Sequence, residues 1–184
     1  MIIFVAVIVI LLILLVYSIA IYNSLVRLKN QSEEAWSSID IQLKRRHDLI
    51  PNLVETVKGY AAHEKETLSK VIEARNMAMN ASGSIEKRAE AENFLTGTLK
   101  SLFALSENYP NLKANENFLQ LQNTLNEIED NIQSARRYYN AVVRDLNTKI
   151  EMFPSSIIAN MFNFTKKEYF EIEEREKEPV KVKF

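Results

Sequence analysis

The chain has 184 residues, 23 Lys and Arg against 24 Asp and Glu, no cysteine, 3 glycines and 4 prolines. At about 150 residues per domain this is about one domain, long enough to bury a core. So few glycines, where about 7% is usual, exclude Gly-rich phosphate loops, collagen and hairpin-dense β architecture. The missing cysteines exclude disulfide frameworks, thiolate metal sites and thiol catalysis, and a net charge of −1 offers no basic footprint for nucleic acid.

Residues 2–21 read IIFVAVIVILLILLVYSIAI, without a charge. About twenty helical residues span the roughly 30 Å hydrocarbon core of a bilayer, and Tyr17 and Tyr22 fall where amphipathic rings favour the headgroup level. The rival reading is a cleaved signal peptide, for which Ser18-Ile19-Ala20 supplies a small-x-small triplet. No Lys or Arg precedes the run, however, and it exceeds the usual signal core of about 7–15 residues, so a retained anchor is expected. Arg27 and Lys29, then Lys44, Arg45 and Arg46, lie beyond its C-terminal end. Positive charge stays on the cytoplasmic side, which places the N-terminus outside and the body in the cytoplasm of the cell.

After the anchor, Trp36, Ile39, Leu43, Arg46, Ile50, Leu53, Val57 and Tyr60 step by three and four, one helix face interrupted by Arg46. Pro51 lacks a donor and biases Ile50 away from helical angles. The expectation leans to a break, with one helix ending near His47 and the next capped by Asp48, so that Pro51 falls in a first turn. The alternative is one helix kinked at Pro51, favoured by the unbroken register.

The pattern continues through Ala61, Leu68, Val71, Ile72 and Ala78 to Ser82-Gly83-Ser84, where Gly83 suits a left-handed C-terminal position and Ser84 an N-cap. The next helix carries Ile85, Ala89, Leu95, Leu99 and Leu102. Gly97 in its middle costs about 1 kcal/mol relative to Ala, which predicts close packing against a neighbour. Residues 108–111 end it. Phe118, Leu121, Leu125, Ile128, Ile132, Ala135, Tyr139, Val142 and Leu146 then keep 3-4 spacing until Phe153-Pro154. Such a stripe serves packing inside an antiparallel bundle, or an intermolecular coiled coil if a seam is left over. Five of the nine phenylalanines fall from Phe153 onward, and disordered segments are poor in aromatics.

The expected fold is therefore all-α: an up-and-down antiparallel bundle of long helices, four, or three with a kink at Pro51, preceded by one transmembrane helix. The expected organisation is an anchor over 1–23, a bundle over 24–153, a docked aromatic segment over 154–172 and a charged, frayed tail over 173–184.

Chemistry-bearing residues are sparse. His47 and His63 are the two histidines, neither in an HExxH motif, and His63 with Glu64 and Glu66 resembles a metal fragment only in composition. No nucleophile elbow, P-loop or dinucleotide fingerprint is present. No enzyme activity, cofactor or metal is expected. Two polar clusters interrupt apolar faces: residues 44–48 (Lys-Arg-Arg-His-Asp) and 136–140 (Arg-Arg-Tyr-Tyr-Asn). Their plain reading is long cations snorkelling over a core edge while tyrosines bury their rings. Their functional reading is a basic, aromatic patch for a partner or for anionic lipid, with Arg45, Arg46, Asp48, Asn52, Arg136, Arg137 and Asn140 as the candidate partner-binding surface.

These stretches also carry a resemblance. The apolar N-terminus, Trp36-Ser-Ser-Ile-Asp, LKRRHDLIPNLVETVKGYAAHE from residue 43, YPNLKANENFLQLQ from residue 109, ARRYYNAVVRDLN from residue 135 and Phe153-Pro154 run in order along nearly the whole chain. In them the chain resembles the LemA family of bacterial membrane-anchored proteins. The resemblance implies a helical bundle on one N-terminal membrane helix with a short external N-terminus, and it carries no catalytic residue across. Three readings of function follow. The first is a membrane-anchored adaptor or scaffold for an unidentified protein partner. The second is a structural protein that self-assembles as a homo-oligomer at the bilayer. The third is a metal-dependent enzyme using His47, His63 and nearby carboxylates.

Overall fold

The computed structural model describes residues 1–170, so the frayed tail expected at the C-terminus lies outside the described residues. The chain is all-α: α1 (Ile2–Lys58), α2 (Lys65–Asn80), α3 (Ile85–Ser106), α4 (Pro110–Lys113), α5 (Glu116–Glu151) and α6 (Ser155–Met161), with no strand among the described residues. Two compact units divide it. The first comprises Met1–Ser37 with Arg137–Lys167, the second Ser38–Arg136 with, among the described residues, Glu168 to Phe170. Both α1 and α5 contribute to each.

In the first unit the start of α1, the end of α5 and α6 share a small core of Ile21, Leu25, Leu146, Ile150, Ile158 and Ala159. The stretch after α6 is held by Asn147, whose side-chain amide donates to the Lys167 carbonyl and whose oxygen accepts from the Lys167 N–H, both at 2.9 Å. Pairing both faces of one buried amide this way satisfies two backbone groups that have no helical partner. Residues 2–17 are exposed along their whole length, the pattern of a helix made for lipid rather than for a protein core.

In the second unit the continuation of α1 packs with α2, α3, α4 and the first part of α5 around Ile50, Leu53, Val71, Leu95, Leu102 and Phe118. Here the expected break is corrected: α1 runs unbroken through Pro51. The proline cannot donate to the His47 carbonyl four residues earlier, and Arg75 of α2 supplies the missing donor, its Nε lying 2.7 Å from that oxygen. Ile50 and Leu53, fully buried on either side, hold the register. The anchor and the first bundle helix are accordingly one element and not two. A break does come later, at residues 59–64. The apolar pattern hid it because Ala61, inside the turn, is itself buried.

Between α2 and α3, Gly83 takes φ +105°, which an L side chain rarely adopts, and the Ser84 hydroxyl accepts from the Lys87 N–H at 3.3 Å. Gly97 is corrected: a Cβ built there meets nothing within 4 Å. Without a close neighbour its only effect is to weaken α3, so Gly97→Ala is expected to raise stability by about 0.5–1 kcal/mol. Denaturant unfolding of the variant checks this, and a destabilised variant would mean that the position is crowded after all.

Candidate functional site

The most polar part of the interior lies in the second unit, where three helices each place charged or polar groups on an apolar stripe. On α1, Arg46 occupies the slot between Leu43 and Ile50 that the 3-4 spacing assigns to the core, and it is 1% exposed. On α3, Glu92 sits three residues from both Ala89 and Leu95 and is fully buried. On α5, Glu129 follows Ile128 at the edge of the stripe, its side chain 23% exposed.

Arg46 Nη2 lies 2.5 Å from Glu92 Oε2, and Nη1 lies 2.5 Å from Glu129 Oε2 and 2.8 Å from the Thr96 hydroxyl. His47 Nε2 faces both Glu92 oxygens, at 3.1 Å and 3.2 Å. One guanidinium thus joins α1 to α3 and α5, with only its Nε lacking a hydrogen-bond partner. A buried ion pair contributes little net stability, because desolvation offsets the attraction, but half of one is very costly to leave behind. The network therefore acts through geometry. Alignments of α1, α3 and α5 that fail to bring these groups together are penalised, and the observed one is not.

Burial by itself raises the Glu92 carboxyl. The hydrogen bond from His47, the charges of Arg46 and His47, and the Arg46 hydrogen bond outweigh it and hold Glu92 below its ordinary 4.5. A lowered folded value means that the contribution to stability is present above 4.5 and is lost as pH falls through the folded value. Acid titration of unfolding free energy is expected to show a steeper loss below 4.5 for the parent protein than for Glu92→Gln. Equal slopes would mean that Glu92 is not held ionised by its neighbours.

A second buried cation, Arg136 on α5, donates to Asn93 Oδ1 at 3.1 Å and lies 4.3 Å from the Phe170 ring centroid, a cation–π geometry. It is 4% exposed. Neither Arg46 nor Arg136 snorkels, and neither is presented at a surface, which corrects their placing in the candidate partner surface. Arg45, Asp48 and Asn52 are exposed at 3-4 spacing on one face of α1. Arg45 is hydrogen-bonded to Gln42 at 3.3 Å, and Asn52 borders a shallow groove with Leu49, Thr56, Gln120 and Thr124. Arg137, exposed, and Asn140, half-buried, belong to the first unit. Glu92, Asn93, Thr96 and Glu129 were not foreseen. The available signal was a carboxylate on the apolar stripe of α3, complementary to the arginine on that of α1.

Of the residues in the metal reading, His47 and Glu64 are engaged elsewhere and His63 stands exposed. His47 serves Glu92, and Glu64 accepts from the Tyr109 hydroxyl at 2.8 Å, a bond that raises the Tyr109 pKa. Among the described residues no three His, Asp or Glu side chains are grouped to hold a metal ion.

The sequence pattern of the LemA family matches residues 35–184. The chain belongs to the LemA family. Among its relatives, Protein LemA of Metamycoplasma hominis is 29% identical over 159 residues, covering 84% of this chain and 71% of the relative. Magnetosome protein MamQ 2 of Paramagnetospirillum magneticum is 25% identical over 175 residues, 82% of this chain and 64% of its own length. The MamQ of Magnetospirillum gryphiswaldense is 24% identical over 174 residues, again 64% of its length. The chain thus spans just under two thirds of these magnetosome relatives, and none of the three bears the name of an enzyme. With α1 long and apolar enough to cross a membrane, this LemA-family chain is a membrane-associated helical protein.

Proposed function

We propose that this protein is a single-pass membrane anchor carrying a helical bundle on the cytoplasmic side, where it acts as an adaptor or scaffold for a protein partner. The observation that carries the reading is α1 itself. One unbroken helix begins as a membrane-length apolar run and continues into the buried cluster of the second unit. The cluster's charged groups are occupied with one another, which leaves recognition to the exposed face of Arg45, Asp48 and Asn52, with Arg137 and Asn140 as further candidates. The charge asymmetry around the apolar run supports the cytoplasmic side.

The test joins protease accessibility in intact cells with in-cell crosslinking and mass spectrometry, on the parent and on Arg45→Glu with Asp48→Lys and Asn52→Lys. A protected body whose crosslinked neighbours disappear in the folded variant supports the reading. A body digested from outside overturns the orientation, and unchanged neighbours overturn the surface.

Self-assembly is the second reading, favoured by Ile72, Met77 and Met79, which α2 leaves exposed. Sedimentation of the full chain in detergent distinguishes it: a monomer at every concentration removes this reading and leaves the first intact.

A further inference from the structure

In the first unit, the corner where α5 meets α6 exposes an apolar surface that no part of that unit covers. Met152, Phe153, Ile157, Met161 and Phe162 are all more than half exposed, Phe153 at 80% and Met161 at 66%. Scattered apolar residues are normal at a protein surface, but five within eleven positions form a patch that calls for an occupant. Its location names one. Met152 and Phe153 line the same groove as Tyr17, Ala20 and Ile21, the last turn of the apolar run. Phe162 packs against Tyr22 with ring centroids 4.7 Å apart and ring planes tilted by 56°. The patch therefore lies at the depth where α1 leaves the hydrocarbon, the level that aromatic side chains favour.

The charges follow the same order. Arg27 and Lys149 line that groove on the side away from the apolar run, with the Lys149 ammonium 2.7 Å from the Ser24 hydroxyl, and Lys29 borders the neighbouring groove under Phe162. Asp145 also lines the first groove, so the cations are in excess without being alone. Apolar and aromatic groups at the depth of the acyl chains, with cations one to two turns further out at the depth of phosphates, is the arrangement of an interfacial membrane contact.

We propose that the α5–α6 corner inserts into the headgroup boundary of the same bilayer that α1 crosses, giving the protein a second, interfacial foothold beside its anchor. This rests on the membrane anchoring of α1 proposed above. The corner's occupant is lipid: its apolar surface is continuous with that of the anchor, which no protein element of the first unit covers either.

The absence of cysteine makes the test direct. The single variants Phe153→Cys, Met161→Cys, Val9→Cys and Asn52→Cys of the full chain are spin-labelled and reconstituted in vesicles of phosphatidylcholine and phosphatidylglycerol. The collision rates of each label with oxygen, which concentrates in lipid, and with a water-soluble nickel chelate are then read by power saturation. Labels at Phe153 and Met161 are expected to favour oxygen over the chelate, at a depth shallower than Val9, while Asn52 favours the chelate. Two corner positions guard against one variant failing to fold, which circular dichroism reports. Corner labels as open to the chelate as Asn52, with Val9 in lipid, overturn the corner and leave the anchor standing. Corner labels shielded from both quenchers mean that a second copy or another protein covers the patch, and overturn it as well. A Val9 label open to the chelate overturns the anchor and the corner together.

Discussion

Arg46→Met is expected to cost about 3–5 kcal/mol of unfolding free energy, the usual consequence of removing one partner from a buried ion pair. Glu92 would remain fully buried with only His47 beside it, whereas Glu129, partly exposed, can turn to water. Denaturant unfolding of the full chain in detergent, followed by circular dichroism, measures the loss. The double variant Arg46→Met with Glu92→Met is expected to recover most of it, because an apolar pair of similar volume leaves no orphaned charge. A single-variant loss within the about 0–1 kcal/mol of an exposed pair would show that water reaches the cluster and that it does not organise the core. A loss in the single that the double fails to recover would instead place the effect in packing.

The second large effect concerns the proline. Arg75→Leu is expected to cost about 1–3 kcal/mol, since the His47 carbonyl would lose the donor that replaces the missing N–H of Pro51. In a Pro51→Ala background the restored amide can donate to that carbonyl, and the cost of Arg75→Leu is expected to shrink. The double-mutant cycle isolates the coupling. Strict additivity would mean that Arg75 contributes through its other surroundings, and that α1 carries the gap at Pro51 unassisted.

The Arg75 hydrogen bond also accounts for the helix running through Pro51 where the local sequence favours a break. A proline inside a helix is locally unfavourable by about 3 kcal/mol, and with only neighbouring residues in view a break with Asp48 as cap is the sensible reading. The compensation comes from Arg75, more than twenty positions away on another helix. Gly97 shows the converse failure. Its place mid-helix suggested a tight neighbour, and nothing lies within reach of a Cβ there.

Where a signal is local, it was legible. The apolar run announces its length in residues, and helix length is 1.5 Å times that number. Ser82-Gly83-Ser84 announces a helix end because only glycine takes its φ without strain, and because a serine hydroxyl reaches the next free N–H groups. The stripe from Phe118 to Leu146 announces its buried face through periodicity alone. Ala61 marks the limit of that signal, since a buried residue in a turn prolonged the pattern past the true end of α1.

The candidate site was legible only in half. Arg46 and Arg136 were visible as cations on apolar faces, but whether a long cation reaches outward to water or inward to a carboxylate depends on what the facing helices present. Thus the sequence by itself determined the helical class, the membrane-length segment, the helix boundaries at residues 82–84, 108–111 and 153–154 and which faces are buried, all properties of residues within a turn or two of one another. Only the tertiary structure decided that Pro51 is spanned, that Arg46 is enclosed by Glu92 and Glu129, and that the α5–α6 corner lies beside the end of the anchor. Each of these depends on partners far apart in the chain, whose meeting is set by packing and charge complementarity that no local pattern encodes.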